Sequence, residues 1–260
     1  MAPTTPQKKP PATKKTPLRI LCLGDSLTAG YPEMHPYGGR LEEVLEAADP
    51  RLSVSVDVDG VPGDQVAHGT FRRRMQSRWT EDEYDWTIVL GGTNDLAWGL
   101  PEKNIFEALQ TCWNIPLSKG GKVLALTIPE CEYQNSKIDD KRTLVNTSIK
   151  AHKQRNLTSH TFDLFEALPY HTMDPKDRGS IWEYDGLHLR ASGYDRMGEK
   201  IAEALLKIIQ LEEAQNTEIS SIVSDARQRR MIEDMIFEEE RGDPKLLSQG
   251  YIVVRKADLD

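Results

Sequence analysis

A chain of 260 residues is long enough for one sizeable α/β domain with tails and does not require two domains. With 38% hydrophobic and 28% charged residues it has a soluble globular composition, and no apolar run approaches the roughly 20 residues of a membrane span. A net charge of −8 argues against a protein that tracks nucleic-acid phosphates.

The first seventeen residues carry four lysines, five prolines and no acid, so 1–17 reads as a disordered basic tail rather than a secretory signal. Cys22, Cys112 and Cys131 match no zinc or disulfide spacing. Together these features predict an intracellular, cytoplasmic protein with reduced thiols. The domain proper is expected over 18–210, followed by a charged helical extension and tail over 211–260.

Ile20-Leu21-Cys22-Leu23 reads as a short buried strand that ends in Gly24-Asp25-Ser26, placing a serine at a strand's carboxyl end. Tyr37 to Ala48 has helical periodicity, with Leu41, Val44 and Leu45 on one face. Ser53 to Val58 alternates like a strand and runs into Gly60-Val61-Pro62-Gly63-Asp64. Phe71 to Trp79 is a basic helix whose Arg72, Arg73 and Arg74 suit a solvated face.

Tyr84 to Leu90 is the third strand, ending in Gly91-Gly92-Thr93-Asn94-Asp95. Pro101 is expected in the first turn of a helix reaching Trp113. Lys122 to Ile128 is a strand, Asp139 to Gln154 an amphipathic helix and Thr161 to Phe165 the last strand. Asp174 to Tyr184 has loop composition, and a helix is predicted from an N-cap at Ser192. Strand and helix in alternation imply a parallel, doubly wound sheet.

Residues 211–260 hold 12 acids against 7 Lys and Arg, with Met231, Ile232, Met235 and Ile236 as an amphipathic stripe. They suit an extra helix for a protein partner or self-association.

Four places then converge on one sheet edge: Ser26, Gly63, Asn94, and Asp185 with His188. A serine hydroxyl needs a neighbouring imidazole to take its proton as it attacks, and the imidazole needs an acid to hold its tautomer. His188 has Asp185 three residues upstream across Gly186. The backbone N–H groups of Ser26 and Gly63 and the side-chain amide of Asn94 are the donor types an oxyanion requires. Asp25, Asp64 and Asp95 suit turn capping, since their spacing matches no metal motif. Tyr31, Trp98, Trp182 and Tyr184 fit substrate-pocket walls and core aromatics equally well; as walls they would favour a short acyl group.

Gly24-Asp25-Ser26-Leu27-Thr28, Gly60-Val61-Pro62-Gly63-Asp64, Gly91-Gly92-Thr93-Asn94-Asp95 and Asp185-Gly186-Leu187-His188-Leu189 resemble, in that order, the four blocks of the SGNH hydrolases, also called GDSL esterases and lipases. The resemblance covers roughly 18–209. It implies a flavodoxin-like three-layer α/β/α fold and no cofactor. It also implies Ser26 as nucleophile, His188 as base, Asp185 as its partner, and Gly63 and Asn94 as oxyanion donors. Val58 departs from the asparagine often found at that position in the family. The expected function is hydrolysis of a small-molecule carboxylic ester through an acyl-enzyme. The alternatives are a thioesterase or carbohydrate deacetylase with the same machinery, or a non-catalytic module that binds a partner through 211–260.

Overall fold

The structure, a computed structural model, describes residues 15–152 and 159–239, with 218–239 described by backbone course alone. Two compact units divide the chain, the first ending at Leu206 and the second beginning at Lys207.

The first unit is built on five parallel strands in the order β2-β1-β3-β4-β5. β1 (Thr16–Gly24) lies between β2 (Leu52–Gly60) and β3 (Trp86–Leu90), followed by β4 (Lys122–Leu126) and β5 (Ser159–Phe162). Strands buried on both faces need no polar alternation, which is why Ile20 to Leu23 and all of β3 are apolar or small and buried. One face packs Leu21, Leu23, Val89, Val123 and Ala125 against α3 (Phe71–Glu81), α5 (Glu102–Ser118) and α6 (Ser136–Ala151). On the other face, α2 (Tyr37–Ala48) runs along β2 and buries Tyr37, Leu41 and Leu45, each worth about 1.5–3 kcal/mol relative to exposure. The buried Met197, Ile201 and Leu205 belong to the early turns of α9 (Ala191–Glu239). The fold is therefore the expected α/β/α sandwich with a flavodoxin-like sheet.

Several boundaries differ from the sequence expectation. Thr16 and Pro17 are strand residues paired with Leu52 and Ser53, not tail. Pro101 is the N-cap of α5 rather than a first-turn residue, and the helix runs through Pro116 to Ser118 because its apolar face continues. β5 stops at Phe162: Asp163 accepts from Glu166 N and starts a short helix, α7 (Leu164–Ala167). Within the expected loop, Asp174 caps α8 (Pro175–Ile181), with proline in the first turn. Ser192 lies inside α9 and donates to the Ser180 carbonyl instead of capping. Within the described residues, the helix expected after Leu211 is the continuation of α9, which runs without a break to Glu239. Met231, Ile232, Met235 and Ile236 lie where only the backbone is described, and residues 1–14, 153–158 and 240–260 lie outside the described residues. No described helix is long and apolar enough to cross a membrane.

Gly24 and Gly60 pair at the ends of β1 and β2. A Cβ on Gly24 would lie 2.0 Å from Thr28 Oγ1, and one on Gly60 would lie 2.2 Å from Ala29 N. Bare backbone at both positions lets the short helix α1 (Ser26–Ala29) fold back over the strand ends.

Candidate active site

The carboxyl ends of β1, β2 and β3 carry Ser26, Gly63 and Asn94 in turn. Ser26 opens α1 and is 8% exposed, while the Asp25 carboxylate caps the turn by accepting from Leu27 N at 3.0 Å. His188 Nε2 lies 2.9 Å from Ser26 Oγ, and His188 Nδ1 lies 2.6 Å from Asp185 Oδ2. The other Asp185 oxygen accepts the backbone N–H groups of Leu187 and His188, both at 2.9 Å. The loop thereby folds around the carboxylate that holds its own histidine. Burial raises the Asp185 pKa, but the bond to His188 and the two backbone donors outweigh it and hold the carboxyl below its ordinary range.

Asp25 behaves oppositely. It is completely buried, and desolvation outweighs its two backbone bonds and the charge of Arg74, pushing its pKa up to about 7. Asp95 is buried too and is likewise raised by desolvation, although Val66 N and Ala67 N both donate to it at 3.0 Å. Asp95 thus ties the loop after β2 to α4 (Thr93–Ala97). Asn94 adds a second tie, its side-chain amide donating to the Asp64 carbonyl at 2.9 Å. Gly63 has φ +77° and stands on the exposed lip of that loop. Among the described residues, neither the Ser26 nor the Gly63 backbone N–H has a protein acceptor.

The four aromatic positions separate. Tyr31 meets the His188 ring edge-on at 4.8 Å, and its carbonyl accepts from the buried Tyr194 hydroxyl at 2.6 Å. Trp182 is a core residue, packed on Tyr170 and bridged to Leu189. Trp98 and Tyr184 are 77% and 92% exposed, and Tyr184 lines a cavity of about 190 Å³ together with Trp182, Tyr170 and Arg178. An apolar cavity of about 230 Å³ does border Asn94 and Asp185, lined by Leu96, Ile128, Ile138 and Leu187 among others. Sequence reasoning missed it, because Ile128 and Ile138 flank a loop after β4 that carries no motif.

A second miss is Arg74. Its side chain is only 12% exposed and pairs with Asp59 and Asp64, so it does not belong to a solvated face. The available signal was the i, i+4 placement of Arg74 and Arg78 beside the acids near the end of β2. Asp64 is more than a turn cap, since it is the partner of this arginine. Among the described residues, no group of three or more His, Cys, Asp or Glu could hold a metal ion.

The model of the GDSL-like lipase/acylhydrolase family matches residues 22–196. No curated protein matches the chain. Among solved structures, a member of the lipolytic protein G-D-S-L family from Veillonella parvula is 23% identical with a TM-score of 0.57, covering 72% of this chain and 97% of its own. The lipase/acylhydrolase from Enterococcus faecalis is 22% identical with a TM-score of 0.57, covering 72% and 95%. A family 3 carbohydrate esterase from Clostridium thermocellum is 16% identical with a TM-score of 0.61, covering 75% and 98%. At these identities the three structures speak for the fold, and the match over 22–196 speaks for descent: the chain belongs to the GDSL-like lipase/acylhydrolase family.

Proposed function

We propose that the chain is a serine hydrolase that cleaves a carboxylic ester through an acyl-enzyme at Ser26. The observation that carries this reading is the unbroken row from Ser26 Oγ to His188 Nε2 at 2.9 Å and from His188 Nδ1 to Asp185 at 2.6 Å. As Ser26 Oγ attacks the ester carbonyl carbon, His188 takes the hydroxyl proton, and Asp185 stabilises the imidazolium that forms. The carbonyl oxygen gains negative charge and accepts from Ser26 N–H, Gly63 N–H and the Asn94 side-chain amide. His188 then returns the proton to the departing alcohol. Water repeats the sequence in the second half, releasing the carboxylic acid and restoring Ser26.

The acyl part occupies the cavity beside Asn94. Its volume of about 230 Å³ suits a short acyl group. Its apolar lining favours an unsubstituted chain.

The test is a panel of p-nitrophenyl esters with matched thioester and acetylated-sugar substrates, run on the wild type and on Ser26→Ala, alongside labelling by a fluorophosphonate. Hydrolysis and labelling should both vanish in Ser26→Ala while the thermal melt is kept. Retained hydrolysis in that variant, or a wild type that neither hydrolyses nor labels, would overturn the reading.

A further inference from the structure

Gly63 occupies an unusual position for a group whose place must be fixed. A Cβ built on it would meet nothing within 4 Å, so no side chain packs against it from that side. Its backbone location depends on its neighbours in the loop, chiefly Asp64. Asp64 is held in turn by many bonds. Its Oδ1 accepts Thr70 N at 2.7 Å and Gln65 N at 3.1 Å, and its Oδ2 accepts the Thr70 hydroxyl at 3.0 Å. Its backbone carbonyl is the acceptor for Asn94.

Arg74 joins this cluster to the rest of the site. Its Nε and Nη2 donate to Asp64 Oδ2 at 3.1 and 2.8 Å. Nη2 also donates to the Gly24 carbonyl at 2.8 Å, two residues before Ser26. Nη1 donates to the Asp59 carbonyl at 2.8 Å and to Asp59 Oδ1 at 2.6 Å, at the end of β2. One planar, rigid fork therefore spans the end of β1, the end of β2 and the loop that carries Gly63. A lysine ammonium, as a compact point charge, cannot bridge three segments in that fixed geometry.

We propose that Arg74 is a positioning residue for the oxyanion site: acting through Asp64, it sets the Gly63 N–H and the Asn94 amide against the Ser26 N–H. The proposal rests on the ester-hydrolase reading above. Arg74 touches none of the reacting atoms. Its effect comes from preorganisation, because donors stabilise the oxyanion only when already placed where charge develops, and misplacement by about 1 Å can cost on the order of 100-fold in rate. The charge has a second consequence, since Arg74 is among the groups that favour the ionised form of the buried Asp25.

The test uses the full chain as wild type, Arg74→Lys, Asp64→Asn and Arg73→Gln. Arg73 is the exposed neighbour on the same helix. kcat and KM are measured with p-nitrophenyl butyrate. Inhibition is measured with an alkyl trifluoromethyl ketone, whose adduct carries an oxyanion, against the matched methyl ketone. Thermal melts report folding. In Arg74→Lys, kcat should fall about 10- to 100-fold with KM within about threefold, and the trifluoromethyl ketone should weaken by a similar factor while the methyl ketone does not. Asp64→Asn keeps the side-chain size and should show the same pattern, so the proposal stays testable if the lysine variant fails to fold. Arg73→Gln should match the wild type. Folded Arg74→Lys or Asp64→Asn enzyme with wild-type kcat and ketone affinity would overturn the proposal, as would equal weakening of both ketones. A wild type without esterase activity or fluorophosphonate labelling would instead sink the ester-hydrolase reading and this proposal with it.

Discussion

Replacing Asp185 by asparagine tests the charge of the acid while nearly preserving its shape. Asp185 Oδ1 accepts two backbone N–H groups, so an asparagine would keep its carbonyl oxygen there and turn its NH2 toward His188 Nδ1. Flipping the amide would set NH2 against two N–H donors, which closes that escape. His188 Nδ1 would then have to accept rather than donate. The proton would sit on Nε2, facing Ser26 Oγ, and the imidazole could no longer take the serine proton. In a serine-protease triad with a buried acid, the same exchange costs about 10⁴ in kcat. Here the acid side chain is 47% exposed, and water shares the stabilisation of the imidazolium. The expected loss is therefore nearer 10³ in kcat, equivalent to about 4 kcal/mol of barrier. Steady-state hydrolysis of p-nitrophenyl butyrate, with a thermal melt to verify folding, measures it. A folded Asp185→Asn enzyme within about tenfold of wild-type kcat would refute the tautomer argument.

Asn94→Ala should reduce kcat by about 10²–10³ with little change in KM, the signature of a donor used in the transition state; a raised KM at unchanged kcat would point to ground-state binding instead. Ala97→Phe, placed at the exposed margin of the apolar cavity, should lower kcat/KM for the octanoate ester more than for the acetate, and an equal effect on both would show that the acyl chain lies elsewhere. Asp25→Asn addresses stability. Because burial raises the Asp25 pKa from 3.8 to about 7, the folded state holds a proton that the unfolded chain has released. Its stabilising contribution is complete below the unfolded pKa and is lost as pH rises through about 7. Asparagine keeps the cap without titrating, so urea midpoints should show the wild type losing stability relative to Asp25→Asn between pH 5 and pH 8. A difference independent of pH would mean that Asp25 is ionised throughout that range in the folded protein.

The sheet was legible because β1 and β3 are buried on both faces and read as apolar runs, and because glycines mark where β1, β2 and β3 stop. α2 is found at the boundaries its periodicity implies, since a surface helix with one buried stripe records its environment directly. Legibility fails where long-range contacts decide. Asp163 and Asp174 begin short helices inside stretches whose composition suits strand and loop. Trp182 and Trp98 are the same residue type beside neighbouring motifs, yet one is 3% and the other 77% exposed. Only the bridge to Leu189 and the packing against Tyr170 separate them. The acids at Asp59 and Asp64 and the base at Arg74 are each unremarkable in the sequence, and gain meaning only when three segments meet.

The location of the site follows from the strand order more than from any one motif. The chain leaves β1 for β2 on one side and returns to β3 on the other, so the crevice at the end of β1 lies between connections that run in opposite directions. Ser26 sits at that end, and the adjacent strand ends supply Gly63 and Asn94 from either side. His188 has no strand of its own beside them; it comes from a loop 162 residues after Ser26. Among the anchors of that loop are the Asp185 carboxylate around which it folds, the Glu183 N–H bond to the His188 carbonyl at 2.9 Å, the bridge of Trp182 to Leu189, the Glu132 N–H bond to the Gly186 carbonyl at 2.7 Å, and the edge contact of Tyr31 with the His188 ring. Tyr31 is held through its carbonyl by Tyr194 of α9. His188 is thus placed by contacts to the β4 loop, to α9 and to the segment after α1, whereas Ser26, Gly63 and Asn94 stand at the strand ends, with the Gly63 loop tied further by Arg74 of α3. A substitution that loosens α9 near Tyr194 should consequently disturb His188 before it disturbs Gly63 or Asn94.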